Sequence, residues 1–376
     1  MSSPIIHVIQ HQQPSGAEVA HLPLMLSDPD PLLACPPGSA TERFARGHGI
    51  RTVPLPYRSL RQSAGTLEIL RSIAHGFTSA RNLRGILKQH PDRTVVVGNT
   101  LTPSLLAAVA AVGLRRKVVW VGAQRLRHPL VRAGVKLVAR LTAAAIIVPS
   151  RSVLDEFVGR SVSLRRRTHV VAPGIDVAAF SRQHANRDAV RAALVGYIAP
   201  IKRTDLALEI AARVAERITG FELLIVGTAI YTPQDAAFER HLHERVATDA
   251  VLRSHIRFCG HVQDVPAVLA DVSVLLHCCP SESFGIALVE AMAAGLPVVA
   301  PDSGGPLDIV EHGRTGLLYP ASEPSRAADY LVRVLSDPVQ ARAMGAAGRA
   351  RALERYTARA YVTRFNSVLE GVRDAA

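Results

Sequence analysis

Residues 272–301 read VSVLLHCCPSESFGIALVEAMAAGLPVVAP, and the order of residue types spells strand, tight loop, helix, strand. Val272, Val274, Leu275 and Leu276 form a short apolar run of the kind buried in parallel sheets. Ala287 to Ala294 are good helix formers, and Gly295 and Pro297 close the helix. The unit is a βαβ crossover. Its helix is apolar almost all round, through Ile286, Leu288, Val289 and Met292, so it belongs in a core and carries one misfit, Glu290. A carboxylate in a packed helix is costly by several kcal/mol unless it is paired or hydrogen-bonded. The neighbours one turn away are Ile286, Ala287, Ala293 and Ala294, so the helix itself supplies no partner. Either a distant Arg satisfies Glu290, or Glu290 accepts hydrogen bonds from ligand hydroxyls.

The loop Ser281, Glu282, Ser283, Phe284, Gly285 falls where ligands sit in doubly wound sheets, outside the carboxyl end of a strand and on a helix N-terminus. Free N–H groups there, with the positive end of the helix dipole, suit a phosphate, and Gly285 allows a close backbone approach. Glu282 also has a plainer reading, since an acidic residue beside a first turn stabilises a helix.

Glu282, seven intervening residues and Glu290, set in SESFGIALVEAMAAGLPVVA, closely resemble the signature of the retaining glycosyltransferases of family four, with the GT-B fold. The resemblance implies an α/β protein of two Rossmann-like, doubly wound parallel-sheet domains facing across a cleft. It implies that Glu290 binds the ribose of a sugar nucleotide, that Glu282 contacts the transferred sugar, and that the backbone at Phe284, Gly285 and Ile286 holds the diphosphate.

With 376 residues the chain has room for about two domains, each with its own core. Its 48% hydrophobic and 20% charged residues describe a globular chain, and 5% aromatics do not favour a stacking platform for single-stranded nucleic acid. No apolar run approaches the roughly 20 residues that span a bilayer, and the N-terminus lacks a basic region ahead of an apolar core, so a cytoplasmic protein is expected. The four cysteines show no CxxC spacing. Cys278 and Cys279 are read as strand residues on opposite faces, reduced and packed. The net charge of +13 draws the chain towards polyanions, but no nucleic-acid-binding motif accompanies it.

From the N-terminus, residues 5–9 read as a buried strand, and Ser15, Gly16, Ala17, Glu18 resemble the family's Gly-rich opening of a first helix, which makes Gly16 a candidate ligand-binding position. Pro23, Pro29 and Pro31 then predict that this helix is short. Asp28 and Asp30 form a DxD triplet, but two prolines flank Asp30 and no strand leads in, so a solvated loop is expected and no metal site. Strands at 32–35, 94–98 and 117–121 alternate with helices at 66–89 and 103–112, a rhythm that predicts a parallel sheet with crossover helices. Gly122 and Ala123 stand where relatives often carry a His. Residues 128–145 predict an amphipathic helix with Arg132, Lys136 and Arg140 as a basic stripe, either a solvated face or a membrane-surface contact. A strand over 146–150 follows.

Val170 to Asp176 resemble the interdomain stretch, which sets the domains at 1–173 for the acceptor and 174–356 for the nucleotide sugar, with 357–376 a helix crossing back to the first. In the family an Arg and a Lys after the next strand contact the diphosphate; Lys202 matches, Tyr197 stands in the place of the Arg, and Arg203 is the candidate substitute. Negative charge grows on a departing diphosphate and, with no metal, Lys, Arg and N–H groups must meet it. Phe258, Gly260 and Val262 resemble the nucleobase loop, and residues 309–320 resemble a family hairpin.

The resulting expectation is a metal-independent retaining transferase, without a cofactor, that moves a sugar from a UDP- or GDP-sugar to a small-molecule or lipid-linked acceptor. Lys202 and Glu282 are its catalytic candidates; peripheral contact at the inner membrane face stays open, and nucleic acid is not a partner. A sugar-nucleotide epimerase on the same fold and a non-enzymatic polyanion-binding protein are the alternatives. A dehydrogenase is disfavoured because no GxGxxG follows the first strand.

Overall fold

Short runs of aliphatic and β-branched residues make the strands here, and among the described residues every strand pair is parallel. The computed structural model describes residues 4–12, 16–56, 66–93, 95–122, 129–182, 190–230 and 232–374. They form two units, Met1–Gly174 with Tyr361–Ala376, and Ile175–Ala360. The divisions at Gly174 and Ala360 lie one and four residues beyond positions 173 and 356.

The first unit holds β1 (Ile5–Val8), β2 (Leu32–Cys35), β3 (Arg51–Pro54), β4 (Val95–Asn99), β5 (Lys117–Val121), β6 (Ala143–Val148) and β7 (Thr168–Val170), in the order β3-β2-β1-β4-β5-β6-β7. One face of this sheet packs Ile6, Val96, Val118 and Ile146 against crossover helices. The other packs Ile5, Val95, Val119 and Ile147 against Tyr361, Phe365, Leu369 and Val372 of the final helix, Ala358–Asp374. Those four residues recur at helical spacing, which is why a segment distant in sequence completes this core.

The second unit holds β8 (Arg191–Val195), β9 (Glu222–Val226), β10 (Ile256–Gly260), β11 (Val274–Leu276), β12 (Val298–Pro301) and β13 (Gly316–Tyr319), ordered β10-β9-β8-β11-β12-β13. Strand order reverses between β8 and β11, and the loops leaving those two strands open the crevice in which doubly wound sheets bind ligands. Two such sheets define a GT-B fold.

The structure corrects several local expectations. The helix Gly16–Ser27 runs twelve residues, through Pro23, because one missing N–H is outweighed by the burial of Ala20, Leu24 and Met25. The basic helix Pro129–Thr142 stops before 145: Ala143 and Ala145 pair with Val118 and Val119 of β5, so sheet pairing overrides the helix preference of the alanines. His128 and Ala123 lie outside the described residues, as does Ser15. Residues 309–320 are no hairpin, since β13 pairs parallel with β12. Asp28 is not solvated: its side chain is 3% exposed and accepts hydrogen bonds from the N–H groups of Ile5 and Asp30, while Asp30 pairs with Arg51 and Arg93. Cys278 and Cys279 follow β11 in the loop rather than lying within a strand.

Candidate active site

β8 ends at Val195 and the chain turns through Tyr197 into the short 3-10 turn Pro200–Lys202. β11 ends at Leu276 and leads through Glu282 to the helix Ile286–Ala293. These are the two loops at the reversal of strand order, and they meet: Lys202 Nζ donates to Glu282 Oε2 at 2.6 Å. The ammonium also sits 5.2 Å from the centre of the Tyr197 ring, a cation–π distance. Lys202 is thus held between a carboxylate and an aromatic face.

Burial alone would raise the Glu282 pKa. It is instead held well below the usual carboxylate range by the imidazole of His277 and the ammonium of Lys202. His277 Nε2 lies 3.5 Å away, too long for a well-formed hydrogen bond, so the 2.6 Å contact with Lys202 is the stronger hold. Burial likewise opposes the charge of Lys202, but Glu282 outweighs it and the ammonium is pushed up to about 12. Both groups are ionised at neutral pH.

Glu290 behaves oppositely. Burial in the apolar helix pushes its pKa up to about 7. No hydrogen bond or ion pair reaches its carboxyl among the described residues, so the distant Arg allowed by the sequence is not found there. The side chain remains partly exposed, and a ligand can reach it.

The start of this helix is an uncapped donor site. Gly285 has φ +112°, and no side chain caps the first N–H groups, which an α-helix leaves without internal acceptors. A neighbouring turn presses against the loop: Gly305 N–H donates to the Glu282 carbonyl at 2.8 Å, and a Cβ at Gly305 would stand 2.1 Å from the Phe284 carbonyl oxygen. Only glycine allows that approach. Phe284 is buried with its ring edge on Tyr356, and Ile286 begins the helix half-buried.

Lys202, Glu282, Gly285, Ile286 and Glu290 therefore belong to one loop-and-helix constellation. Arg203 stands beside it in a left-handed conformation (φ 56°), but its guanidinium rests on Asp205 at 3.2 Å rather than joining Lys202. Phe258, Gly260 and Val262 lie on and just past β10, two strands from β8 on the same edge; Phe258 stacks on His243 with ring centres 3.9 Å apart. Gly16 belongs to the first unit, where it opens the helix after β1. Sequence reasoning overlooked His277 and the support that Tyr197 gives Lys202. A polar residue ending the buried run VLLH was the available signal for His277.

At its switch point the doubly wound unit thus presents an ionised Lys–Glu pair, an uncapped helix and an unpartnered carboxyl. The family model for glycosyl transferases group 1 matches residues 178–351. The GDP-mannose-dependent alpha-(1-6)-phosphatidylinositol monomannoside mannosyltransferase of Mycobacterium tuberculosis is 28% identical over 294 residues, 71% of this chain and 73% of that one. The D-inositol 3-phosphate glycosyltransferase of Kribbella flavida is 36% identical over 188 residues, 47% and 43% of the two chains. Among solved structures, HepE of Anabaena in complex with UDP matches with a TM-score of 0.82 at 20% identity, over 98% of this chain and all of that one (100%). Residues 178–351 thus match the group 1 glycosyltransferases, and the two parallel-sheet units have the GT-B fold.

Proposed function

We propose that this enzyme transfers a hexosyl unit with retention of anomeric configuration, without a metal, from a GDP- or UDP-sugar to a small-molecule or lipid-linked acceptor. The observation that carries the reading is the Lys202–Glu282 pair beside the unpartnered carboxyl of Glu290 at the β8/β11 switch point. In this reading Lys202 and the N–H groups at Gly285 and Ile286 neutralise the leaving diphosphate. Glu282 contacts the sugar and Glu290 the ribose, while the acceptor attacks on the face the diphosphate vacates. Arg203 adds charge by leaving Asp205, and the segment through Phe258, Gly260 and Val262 lies along the base.

The activities of these relatives favour GDP-mannose as donor and an inositol-bearing lipid or inositol phosphate as acceptor class. Exposed Leu137 and Leu141, with Arg140 reaching Ser161 next to exposed Val162, favour contact with an anionic bilayer. No described helix is long and apolar enough to cross a membrane. NMR of sugar released from an α-linked donor, with EDTA present, tests the reading. An initial α-anomer is expected; an initial β-anomer, or dependence on added metal, overturns it. A new sugar-nucleotide isomer formed without acceptor would favour the epimerase.

A further inference from the structure

His277, Cys279 and Glu282 each turn a metal-ligating atom into one small space, and the three atoms lie within 4.8 Å of one another. His277 and Cys279 are 6% and 2% exposed. The Nε2 atom of His277 is buried without a hydrogen-bond partner among the described residues, and its approach to Glu282 is 3.5 Å. A buried polar nitrogen left in this way is a cost the fold ordinarily avoids. A metal would use the lone pair.

We propose that this triad is a binding site for one zinc-type transition-metal ion. Imidazole nitrogen, thiolate sulfur and carboxylate oxygen together match the preferences of Zn²⁺, whereas Mg²⁺ demands an all-oxygen shell. Three ligands from one short loop leave a fourth position for water. The ion enters hydrated and each ligand atom displaces water. The Cys279 thiol gives its proton to solvent as the sulfur–metal bond forms, His277 binds as the neutral imidazole through an unprotonated Nε2 with any proton there passing to Nδ1 or solvent, and nothing is oxidised.

Lys202 decides what the ion does. Its ammonium holds the same Glu282 oxygen at 2.6 Å, so metal and lysine compete for one carboxylate. The bound ion loosens Lys202 from its place. It is an inhibitor of the metal-free reaction, and this consequence alone rests on the function proposed above.

Cobalt(II) titration of the reduced, chelator-free full-length protein tests the site, because thiolate-bound cobalt shows a near-ultraviolet charge-transfer band. One equivalent should give the band in the wild type, with millimolar Mg²⁺ present. Cys279→Ser should lose it, Cys259→Ser keep it and His277→Gln weaken it. Lys202→Met should bind cobalt about tenfold tighter, since a competing cation is gone. No band in the wild type overturns the proposal whatever the variants do; so does a band surviving in Cys279→Ser, or unchanged affinity in Lys202→Met. Nucleotide binding is read separately, so its absence would count against the donor site and leave the cobalt result standing.

Discussion

Glu282 and Glu290 share one loop-and-helix unit and yet titrate in opposite directions. Lys202 and His277 keep Glu282 charged, whereas Glu290 has only burial acting on it and rises to about 7. A carboxyl whose folded pKa lies above its unfolded value of about 4.5 binds more protons in the folded state, so its contribution to stability falls as pH climbs from that value to about 7 and is level beyond. Glu290→Gln removes the ionisable group. Thermal melts should show the variant close to wild type at pH 5 and more stable by a few degrees at pH 8; an advantage confined to low pH would refute the assignment. The carboxyl was legible from the sequence because no partner exists one turn away in either direction. Its partnerless state was not, since any distant arginine could have reached it, and the same long-range blindness hid the ring of Tyr197 beside Lys202.

At the scale of elements, strands were read well where a buried run was bounded by turn residues, as at β2 and β5, and the central strand–helix–strand order forms as read although β11 is shorter than expected. Errors fell where local preference and tertiary pairing disagree: Ala143 to Ala145 favour helix on their own and become strand because β5 lies alongside. The shortened helix Pro129–Thr142 leaves Leu137 and Leu141 at 54% and 75% exposed, one turn apart. Arg140 reaches across to Ser161 at 2.9 Å, next to Val162, which is 66% exposed. Exposed leucines beside an arginine match the surface of an anionic bilayer. Co-sedimentation with vesicles containing phosphatidylserine or phosphatidylinositol should be strong at low salt, with the partition coefficient falling about a hundredfold in Leu137→Ser/Leu141→Ser, as burial of two leucines is worth roughly 3 kcal/mol. Equal sedimentation of variant and wild type would show that this face is merely solvated.

At the scale of the molecule, the chain folds one doubly wound unit, then a second, and spends its last residues completing the first. Phe365 is fully buried against Val95, Val97 and Ile147, so Phe365→Ala should destabilise the first unit by about 3–5 kcal/mol. Hydrogen exchange should then accelerate in β1, β4 and β5 while β11 and β12 keep their protection; uniform acceleration in both units would contradict the division of cores. That return was legible as a helix but its partner was not, because spacing reports a face and not what covers it. The central claim concerns Glu290 and a ribose, and the most direct test is calorimetric binding of GDP and UDP against their 2′-deoxy analogues, with EDTA present. At pH 8.5, where Glu290 is ionised, the preferred ribonucleotide should bind wild type about tenfold or more tightly than its deoxy analogue, the worth of one hydrogen bond to a charged group, and the gap should close in Glu290→Ala. Equal affinities in the wild type, or a gap that survives the substitution, would contradict the account.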